Sequence, residues 1–118
     1  MRVLVCGGRD YTDRGAVYLA LDRLHEKRGI DVVIHGAARG ADTLAADWAA
    51  ANGVPAEPYP ADWSRGRQAG PVRNQLMLDQ GRPDGVVAFP GGAGTADMCR
   101  RAEAAGLRVW RPEAPAGR

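Results

Sequence analysis

One stretch constrains the fold of this chain more than any other. The apolar residues 85–87 lead into a glycine-rich turn, 88–97, and a helical pattern begins near Thr95. A strand, a glycine-rich turn and a helix N-terminus together build a phosphate cradle, because glycine lets backbone N–H groups approach an anion and the first helical turn supplies unpaired donors. The segment therefore predicts an α/β unit with an anion site; a plain tight connection is the alternative.

Short apolar runs and helical patterns alternate along the rest of the chain. Most of the apolar runs are continuous rather than alternating, which is typical of strands buried on both faces of a parallel sheet. This alternation favours an α/β fold: a Rossmann-like three-layer sandwich with a mostly parallel sheet of about five strands. The predicted strands span residues 2–6, 31–35, 54–59, 84–89 and 107–110, and the predicted helices span 13–27, 41–51, 71–80 and 94–105.

The length of 118 residues predicts a single domain with its own hydrophobic core. We expect this domain to cover residues 1–110 and the proline- and glycine-rich residues 111–118 to form a flexible C-terminal tail. No apolar stretch approaches the length of a membrane span, and the chain begins directly with a strand. We therefore expect a cytoplasmic protein without a signal peptide or a membrane partner.

Composition limits the classes of partner and cofactor. The formal net charge is only +2, so a broad basic surface is absent and nucleic acid is a disfavoured partner. Lys27 is the only lysine; the arginine bias reflects either genomic composition or recognition of phosphates. Cys6 and Cys99 lie far apart without a Cys-x-x-Cys spacing, which disfavours a metal site or a disulfide framework. We expect no cofactor.

Glycine-rich segments follow three of the predicted strands. They are residues 7–10, 36–42 and 90–95. Because ligands of open parallel sheets lie beyond the carboxyl ends of the strands, we expect these segments to meet at one edge and to bind a nucleotide-like small molecule. The candidate ligand-binding residues are Gly7, Gly8, Arg9, Asp10, Gly36, Arg39, Gly40, Asp42, Arg73, Asn74, Pro90, Gly91, Gly92, Gly94 and Thr95.

Several of these side chains also have a purely structural interpretation. Arg9 would either pair with a phosphate or form a local bridge to Asp10 or Asp13. His35, at the end of a strand, would be a general acid or base, although a buried histidine hydrogen-bonded to the backbone is the favoured interpretation. Asp42 would either cap the second helix or accept hydrogen bonds from ribose hydroxyls.

The third predicted helix begins at Pro71, a residue suited to the first helical position. Its first turn carries two polar side chains that can reach across the edge of the sheet. Arg73 would clamp a phosphate through two parallel hydrogen bonds. Asn74 would contact a base or a sugar edge.

The three tryptophans are assigned different environments. Trp63 would either stack on a nucleobase or anchor the long loop that carries it. Trp48, among alanines on the second helix, would serve packing or a subunit contact. Trp110 is expected in the core, and His25 on the solvated surface.

The motifs of several common enzyme classes are absent. The sequence contains neither the Gly-x-Ser-x-Gly nucleophile turn nor the Gly-Lys-Ser/Thr phosphate loop. The first glycine-rich loop is not Gly-x-Gly-x-x-Gly, which disfavours a conventional dinucleotide site. The candidate catalytic carboxylate is Asp97, one turn into the last helix.

Four motifs, in this order, resemble a known family. They are residues 8–13 (Gly-Arg-Asp-Tyr-Thr-Asp), 35–42 (His-Gly-Ala-Ala-Arg-Gly-Ala-Asp), 70–74 (Gly-Pro-Val-Arg-Asn) and 89–95 (Phe-Pro-Gly-Gly-Ala-Gly-Thr). Over about residues 1–110 the chain is similar to the YspA-like family of the SLOG superfamily, which also contains the Lonely Guy phosphoribohydrolases and the Rossmann domain of DprA. The resemblance implies binding of a nucleotide or an ADP-ribose-like derivative and, by analogy, a homo-oligomer.

The Lonely Guy enzymes carry a Pro-Gly-Gly-x-Gly-Thr-x-x-Glu loop and an upstream arginine motif. Residues 90–95 match the loop and Arg73 matches the arginine, with Asn74 in the place of the following lysine. Met98 stands where the loop has its glutamate, and a thioether can neither stabilise an oxocarbenium-like centre nor orient water. The catalytic roles that the resemblance implies would therefore fall to Arg73 and Asp97. Asp97 stands one residue before the position of the glutamate.

Three functions are open from the sequence. The first is binding of a phosphorylated nucleoside derivative at the carboxyl edge of the sheet through the glycine-rich loops. The second is hydrolysis of an N-glycosidic or phosphoribosyl bond in a nucleoside monophosphate, with Arg73 and Asp97 as catalytic residues. The third is binding of single-stranded nucleic acid, which the near-neutral charge and the few aromatic residues disfavour.

Overall fold

All five predicted strands are present and pair in parallel. A computed structural model of the protein describes residues 1–112, so the part of the predicted tail beyond Pro112 lies outside the described residues. The elements are β1 (Arg2–Cys6), α1 (Arg14–Arg28), β2 (Val32–His35), α2 (Ala41–Ala51), β3 (Ala56–Pro58), a 3₁₀ turn (Trp63–Arg65), α3 (Ala69–Asp79), β4 (Gly85–Ala88), α4 (Ala93–Ala104) and β5 (Val109–Trp110).

The strand order is β3-β2-β1-β4-β5, which confirms the predicted Rossmann-like α/β fold. The chain moves outward from β1 to β2 and β3 and then returns to the other side of β1 to form β4 and β5. The order therefore reverses between the neighbouring strands β1 and β4. Loops that leave the carboxyl ends of two such strands diverge to opposite faces and open a crevice between them.

Alternate residues of each buried strand face two separate hydrophobic layers. In β1, Val3 and Val5 pack with α1 and α2, whereas Leu4 and Cys6 pack with residues of α3 and α4. Successive strand side chains point to opposite faces of a sheet, so continuous apolar runs are required when helices cover both faces. The three-layer sandwich follows from this pattern.

Local signals set most of the element ends. The Asp13 side chain accepts a hydrogen bond of 3.0 Å from the Ala16 N–H, and α1 ends at Gly29, whose φ is 70°. The short strand β3 lies at the edge of the sheet, where Pro55 and Pro58 cost few ladder hydrogen bonds.

Within residues 1–112, no helix has both the length and the apolar character needed to cross a membrane.

The predicted start of α3 is wrong by two residues. The helix begins at Ala69, so Pro71 is its third residue rather than its first. Proline is tolerated there because the first N–H groups of a helix have no intrahelical acceptor. As a consequence, Arg73 and Asn74 lie in the second turn and not in the first.

Two aromatic side chains occupy environments other than those predicted. Trp110 is 36% exposed rather than in the core. His25 is partly buried rather than solvated: its Nδ1 accepts the Ile30 N–H at 2.9 Å, and its ring meets the Trp48 ring edge-on. Trp48 itself is fully buried and donates from Nε1 to Asp22 at 2.8 Å, so it serves packing and not a subunit contact.

Replacement of Gly40 by alanine is expected to destabilise the fold far more than replacement of Gly53. Both glycines have a positive φ, +80° and +66°. A Cβ at Gly40 would overlap the carbonyl oxygens of Gly8 and Arg9, whereas a Cβ at Gly53 would meet nothing within 4 Å. We expect Gly53→Ala to cost about 1 kcal/mol of unfolding free energy from backbone strain alone, and Gly40→Ala ~3 kcal/mol or more.

Urea denaturation of the two variants measures this difference. Equal losses of stability would show that the loops after β1 and β2 are not packed as closely as described.

Candidate functional site

The backbone of Gly8 joins the three glycine-rich loops. Its N–H donates to the Pro90 carbonyl at 2.8 Å, and its carbonyl accepts the Ala41 N–H at 3.2 Å. The loops after β1, β2 and β4 therefore meet at the carboxyl edge of the sheet, beside the point where the strand order reverses. The sequence predicted this convergence.

A cavity of about 480 Å³, here called the main cavity, opens where these loops meet the first half of α3. Of the predicted site residues, the structure brings eleven to its wall: Gly7, Gly8, Arg9, Gly36, Asp42, Arg73, Asn74, Gly92, Gly94, Thr95 and Asp97. Further wall residues are Val5, Cys6, Ala38, Trp63, Arg67, Gly70, Pro71, Met77, Ala93 and Met98.

Five predicted site residues lie outside the main cavity. Asp10 and Arg39 form an exposed ion pair of 3.4 Å, and Gly40 packs beneath the carbonyls of the first loop. Pro90 and Gly91 line a second cavity of about 450 Å³, which shares Gly92 and Thr95 with the main cavity. This second cavity is lined by residues 88–92 and by Thr95, Ala96, Cys99, Arg100, Glu103 and Arg111.

The N-terminus of α4 presents a row of unpaired backbone donors. Within residues 1–112, the N–H groups of residues 91–95 have no hydrogen-bond acceptor, and no side chain caps the helix. Four of these residues, 92–95, line the main cavity. Side-chain Cβ atoms added at Gly92 or Gly94 would meet nothing within 4 Å, so the donors are reachable by a bound group. Such a row of unpaired donors at a helix N-terminus has the chemistry to hold an anion.

Arg73 is held by the backbone of two neighbouring loops. Its guanidinium donates from Nη1 to the carbonyls of Gly36 and Tyr59 and from Nε to Asn74 Oδ1 at 3.1 Å. Within the described part of the chain, Nη2 has no acceptor. Burial lowers the pKa of Arg73, and nearby Asp42 opposes that shift.

Asn74 links α3 to the first turn of α4. Its amide nitrogen donates to the Gly94 carbonyl at 3.2 Å and to Asp97 Oδ2 at 3.0 Å, while its oxygen accepts from Arg73. Both donors of this buried side chain are therefore occupied. Asn74 positions Arg73 and the helix terminus, so the base or sugar contact predicted for it would require these bonds to break.

Asp97 is similarly engaged. Its Oδ1 accepts from Arg100 at 3.2 Å, and its Oδ2 accepts from Arg101 at 2.8 Å in addition to Asn74. Burial alone would raise the pKa of Asp97, but the hydrogen bonds from Asn74 and Arg101 outweigh it and lower the pKa. The carboxylate is thus ionised and enclosed by donors of its own protein.

Asp42 combines deep burial with one uncommitted oxygen. Its Oδ2 accepts the N–H groups of Gly36 at 3.1 Å and Ala38 at 3.3 Å. Among the described residues, Oδ1 accepts no hydrogen bond, and the side chain lines the main cavity. Burial raises the pKa of Asp42 to about 6, although the two N–H donors and Arg73 act in the opposite direction.

His35 takes the structural role that its position in the strand favoured. It is buried, and its Nδ1 accepts the Ala37 N–H at 3.0 Å. Burial lowers the pKa of His35 and keeps the imidazole neutral. The ring stabilises the loop after β2, in which Ala37 has a φ of 57°.

One edge of the main cavity carries an aromatic and two cationic side chains. Trp63 is 51% exposed, and the Arg9 guanidinium lies over its ring, 4.8 Å from the centroid. Arg9 therefore adopts neither of the two local bridges considered for it. Arg67 also lines this edge. Sequence reasoning missed Arg67, because a loop without periodicity gives no indication of where its side chains point.

Met98 lies at the base of the main cavity and is only 1% exposed. It packs with Met77 in the layer beneath α3 and α4. The position of the Lonely Guy glutamate is therefore part of the hydrophobic core in this chain. Among the described residues, no group of three His, Cys, Asp or Glu side chains is placed to hold a metal ion.

An all-parallel sheet with glycine-rich loops at its switch point defines a Rossmann-like α/β protein. Residues 1–66 match the family described as "YspA, cpYpsA-related SLOG family". The match covers more than half of the sequence, and the chain belongs to this YspA-related family of SLOG proteins.

Two further comparisons give one relative in sequence and one in fold. The Gene 61 protein of Mycobacterium phage D29 is 42% identical in an alignment 117 residues long, and the coverage is 92% of this chain and 93% of the phage protein. The X-ray structure of DNA processing protein A (DprA) from Streptococcus pneumoniae superimposes with a TM-score of 0.70 at 24% identity, over 92% of this chain and 48% of that one. The chain thus spans about half of DprA, with which it shares the fold.

The buried carboxyl of Asp42 makes stability depend on pH. Its pKa is about 6 in the folded protein against 3.8 as the ordinary value, so between these pH values the folded protein keeps a proton that the unfolded chain has released. The stability that this group contributes is present at low pH and is lost as pH rises from about 4 to about 6. The non-titrating Asp42→Asn variant should lack this loss.

Urea denaturation at pH 4 and pH 7 tests the effect. We expect the unfolding free energy of the wild type, relative to Asp42→Asn, to fall by about 2–3 kcal/mol between the two pH values. The control is Asp10→Asn, a change in an exposed ion pair. The unfolding free energy of the wild type relative to this variant should change much less between the two pH values. A constant difference between wild type and Asp42→Asn would contradict the raised pKa.

Proposed function

We propose that the main cavity binds a phosphorylated nucleoside derivative, with a phosphate on the N-terminus of α4. The observation that carries this proposal is the row of N–H groups of residues 92–95, which line the cavity and have no acceptor within the described chain. Unpaired donors at a helix start carry a partial positive charge and are stabilised by an anion. The Thr95 hydroxyl, at the end of this row, adds a further donor.

The charges around the cavity support an anionic ligand. Arg9, Arg67 and Arg73 line it, and Nη2 of Arg73 is uncommitted within residues 1–112. Of the two carboxylates in the wall, Asp97 is compensated by Arg100 and Arg101. The net field in the cavity is therefore positive, which suits a phosphate or diphosphate group.

A nucleoside fits the remainder of the cavity. Trp63 and the guanidinium of Arg9 form an exposed stacked pair at one edge, on which a base can lie. Asp42 offers its uncommitted Oδ1 to a ribose hydroxyl. The volume of about 480 Å³ lies in the range of small-molecule sites.

We infer binding rather than hydrolysis of the N-glycosidic bond. Hydrolysis needs a carboxylate that can approach the anomeric carbon or a water, and both oxygens of Asp97 are already bonded. Met98, at the position of the family glutamate, is buried. Without either of these groups, the cavity can hold a nucleotide but lacks the free carboxylate that the Lonely Guy loop presents from α4.

Calorimetric titration with AMP, ADP-ribose and adenosine tests the phosphate site. We expect AMP and ADP-ribose to bind and adenosine to bind at least about 100-fold more weakly, because each charge-assisted hydrogen bond to a phosphate contributes about 1.5–3 kcal/mol. Equal affinities of AMP and adenosine would contradict a phosphate on α4.

Gly94→Ala separates binding from folding. A Cβ at Gly94 meets nothing within 4 Å in the protein, and alanine favours a helix, so the thermal midpoint should be unchanged or higher. The added methyl group would occupy space that the phosphate needs, and AMP affinity should fall at least about tenfold, ~1.4 kcal/mol.

The matched control for this variant is Gly15→Ala. Gly15 is the second residue of α1, as Gly94 is the second residue of α4, and it lies away from the main cavity. The affinity of the Gly15→Ala variant for AMP should equal that of the wild type. A loss of affinity in both variants would show that the effect of Gly94→Ala is not local.

Turnover is tested by incubating the protein with AMP and separating the products by chromatography. We expect no adenine or ribose phosphate above the level of a protein-free control. Release of adenine that Asp97→Asn abolishes would overturn the inference and identify the protein as a hydrolase.

A further inference from the structure

The two cysteines of the chain meet beneath the last glycine-rich loop. Cys6 ends β1, and Cys99 lies in the second turn of α4. Both are buried free thiols in the same hydrophobic layer, and each is close enough to influence the pKa of the other. The spacing in the sequence gave no reason to expect this contact, because strand pairing and the packing of α4 create it.

The two sulfur atoms have different access to the outside. Cys6 lines the main cavity, whereas Cys99 lines the second cavity, a separate opening of about 450 Å³. The charged side chains around that second opening are Arg100, Glu103 and Arg111. A small molecule in the second cavity can therefore reach Cys99, which shares its buried layer with Cys6.

We propose that Cys99 and Cys6 form a redox modification site, in which a hydroperoxide entering the second cavity oxidises Cys99 and Cys6 resolves the product to a disulfide. This proposal does not rest on the nucleotide function, because Cys99 lines the second cavity and not the main cavity.

The chemistry balances in two steps. The Cys99 thiolate attacks the terminal oxygen of the hydroperoxide, the O–O bond breaks, and the alkoxide or hydroxide that leaves takes up a proton; Cys99 becomes a sulfenic acid. Cys6 then attacks the Cys99 sulfur and loses its proton, the S–O bond breaks, and water leaves. The two thiols are oxidised and the hydroperoxide is reduced.

The position of Cys99 in the wall of the second cavity, together with Arg111, assigns it the attacking role, and the electrostatics of the pair agree. The pairing with Cys6 lowers the pKa of Cys99 to about 6; burial and Glu103 oppose the shift, and Arg111 adds to it. The same pairing, together with burial and Asp42, raises the pKa of Cys6. Because the thiolate is the nucleophile, Cys99 is the sulfur that reacts first.

Peptide mapping of the native wild-type protein after treatment with hydrogen peroxide tests the proposal. We expect loss of two hydrogen atoms, a cross-linked peptide pair containing Cys6 and Cys99, and full reversal by dithiothreitol. Accumulation of sulfinic acid at Cys99 without a disulfide would overturn the resolving role of Cys6. Survival of both thiols under conditions that oxidise the urea-unfolded chain would overturn the site altogether.

A variant of Cys6 tests the order of the two steps. In Cys6→Ala, a sulfenic-acid probe such as dimedone should label Cys99, and in the wild type this label should be largely lost to the disulfide. Circular dichroism shows whether the variant is folded. If the variant does not fold, the peptide map of the oxidised wild-type protein decides the outcome. Labelling of Cys6 before Cys99 in the wild type would contradict the assignment.

Arg111→Ala and Arg108→Ala form a matched pair that removes the same charge. Arg111 faces Cys99 in the second cavity, whereas Arg108 is exposed and lies outside it. Iodoacetamide alkylation of the wild type should show a midpoint near pH 6, and Arg111→Ala should shift it upward and slow disulfide formation several-fold. Equal effects of both variants would overturn the proposed environment of Cys99.

Discussion

The structure depends on a close approach of backbone at Gly8. This residue donates to the Pro90 carbonyl and accepts from the Ala41 N–H, so two hydrogen bonds at one residue join the loops after three strands. Any side chain at Gly40 or Gly91 would overlap this junction. Glycine at these positions is therefore a packing requirement, which is separate from any role in holding an anion. The junction places the start of α4 at the wall of the main cavity.

Around this junction, the polar side chains divide into two sets. Asn74, Asp97 and most donors of Arg73 are bonded to the protein itself and hold α3, α4 and the loop after β2 in register. The remaining set comprises the N–H groups of residues 91–95 and the edge formed by Trp63 and Arg9, together with single atoms of Arg73 and Asp42. Preorganisation by the first set leaves the second set available for a ligand.

The fold was predictable because its signals are local and repeated. The apolar run at β1 and the cap at Asp13 each act through neighbours in the sequence, and both prediction and structure agree there. The misplacement of the start of α3 came from reading Pro71 by its commonest helix position alone. Trp110 and His25 were misjudged because burial depends on which distant elements cover a side chain.

The sequence by itself determined the α/β class and the meeting of the glycine-rich loops, since hydrophobic periodicity and the carboxyl-end rule need no knowledge of side-chain contacts. The family followed from the resemblance of four ordered motifs. Tertiary structure alone decided which polar groups are already bonded, as for Asp97, and which residues meet across elements, as for Cys6 and Cys99. The physical reason is that hydrogen bonding and burial depend on partners in other elements, and only the assembled layers bring those partners together.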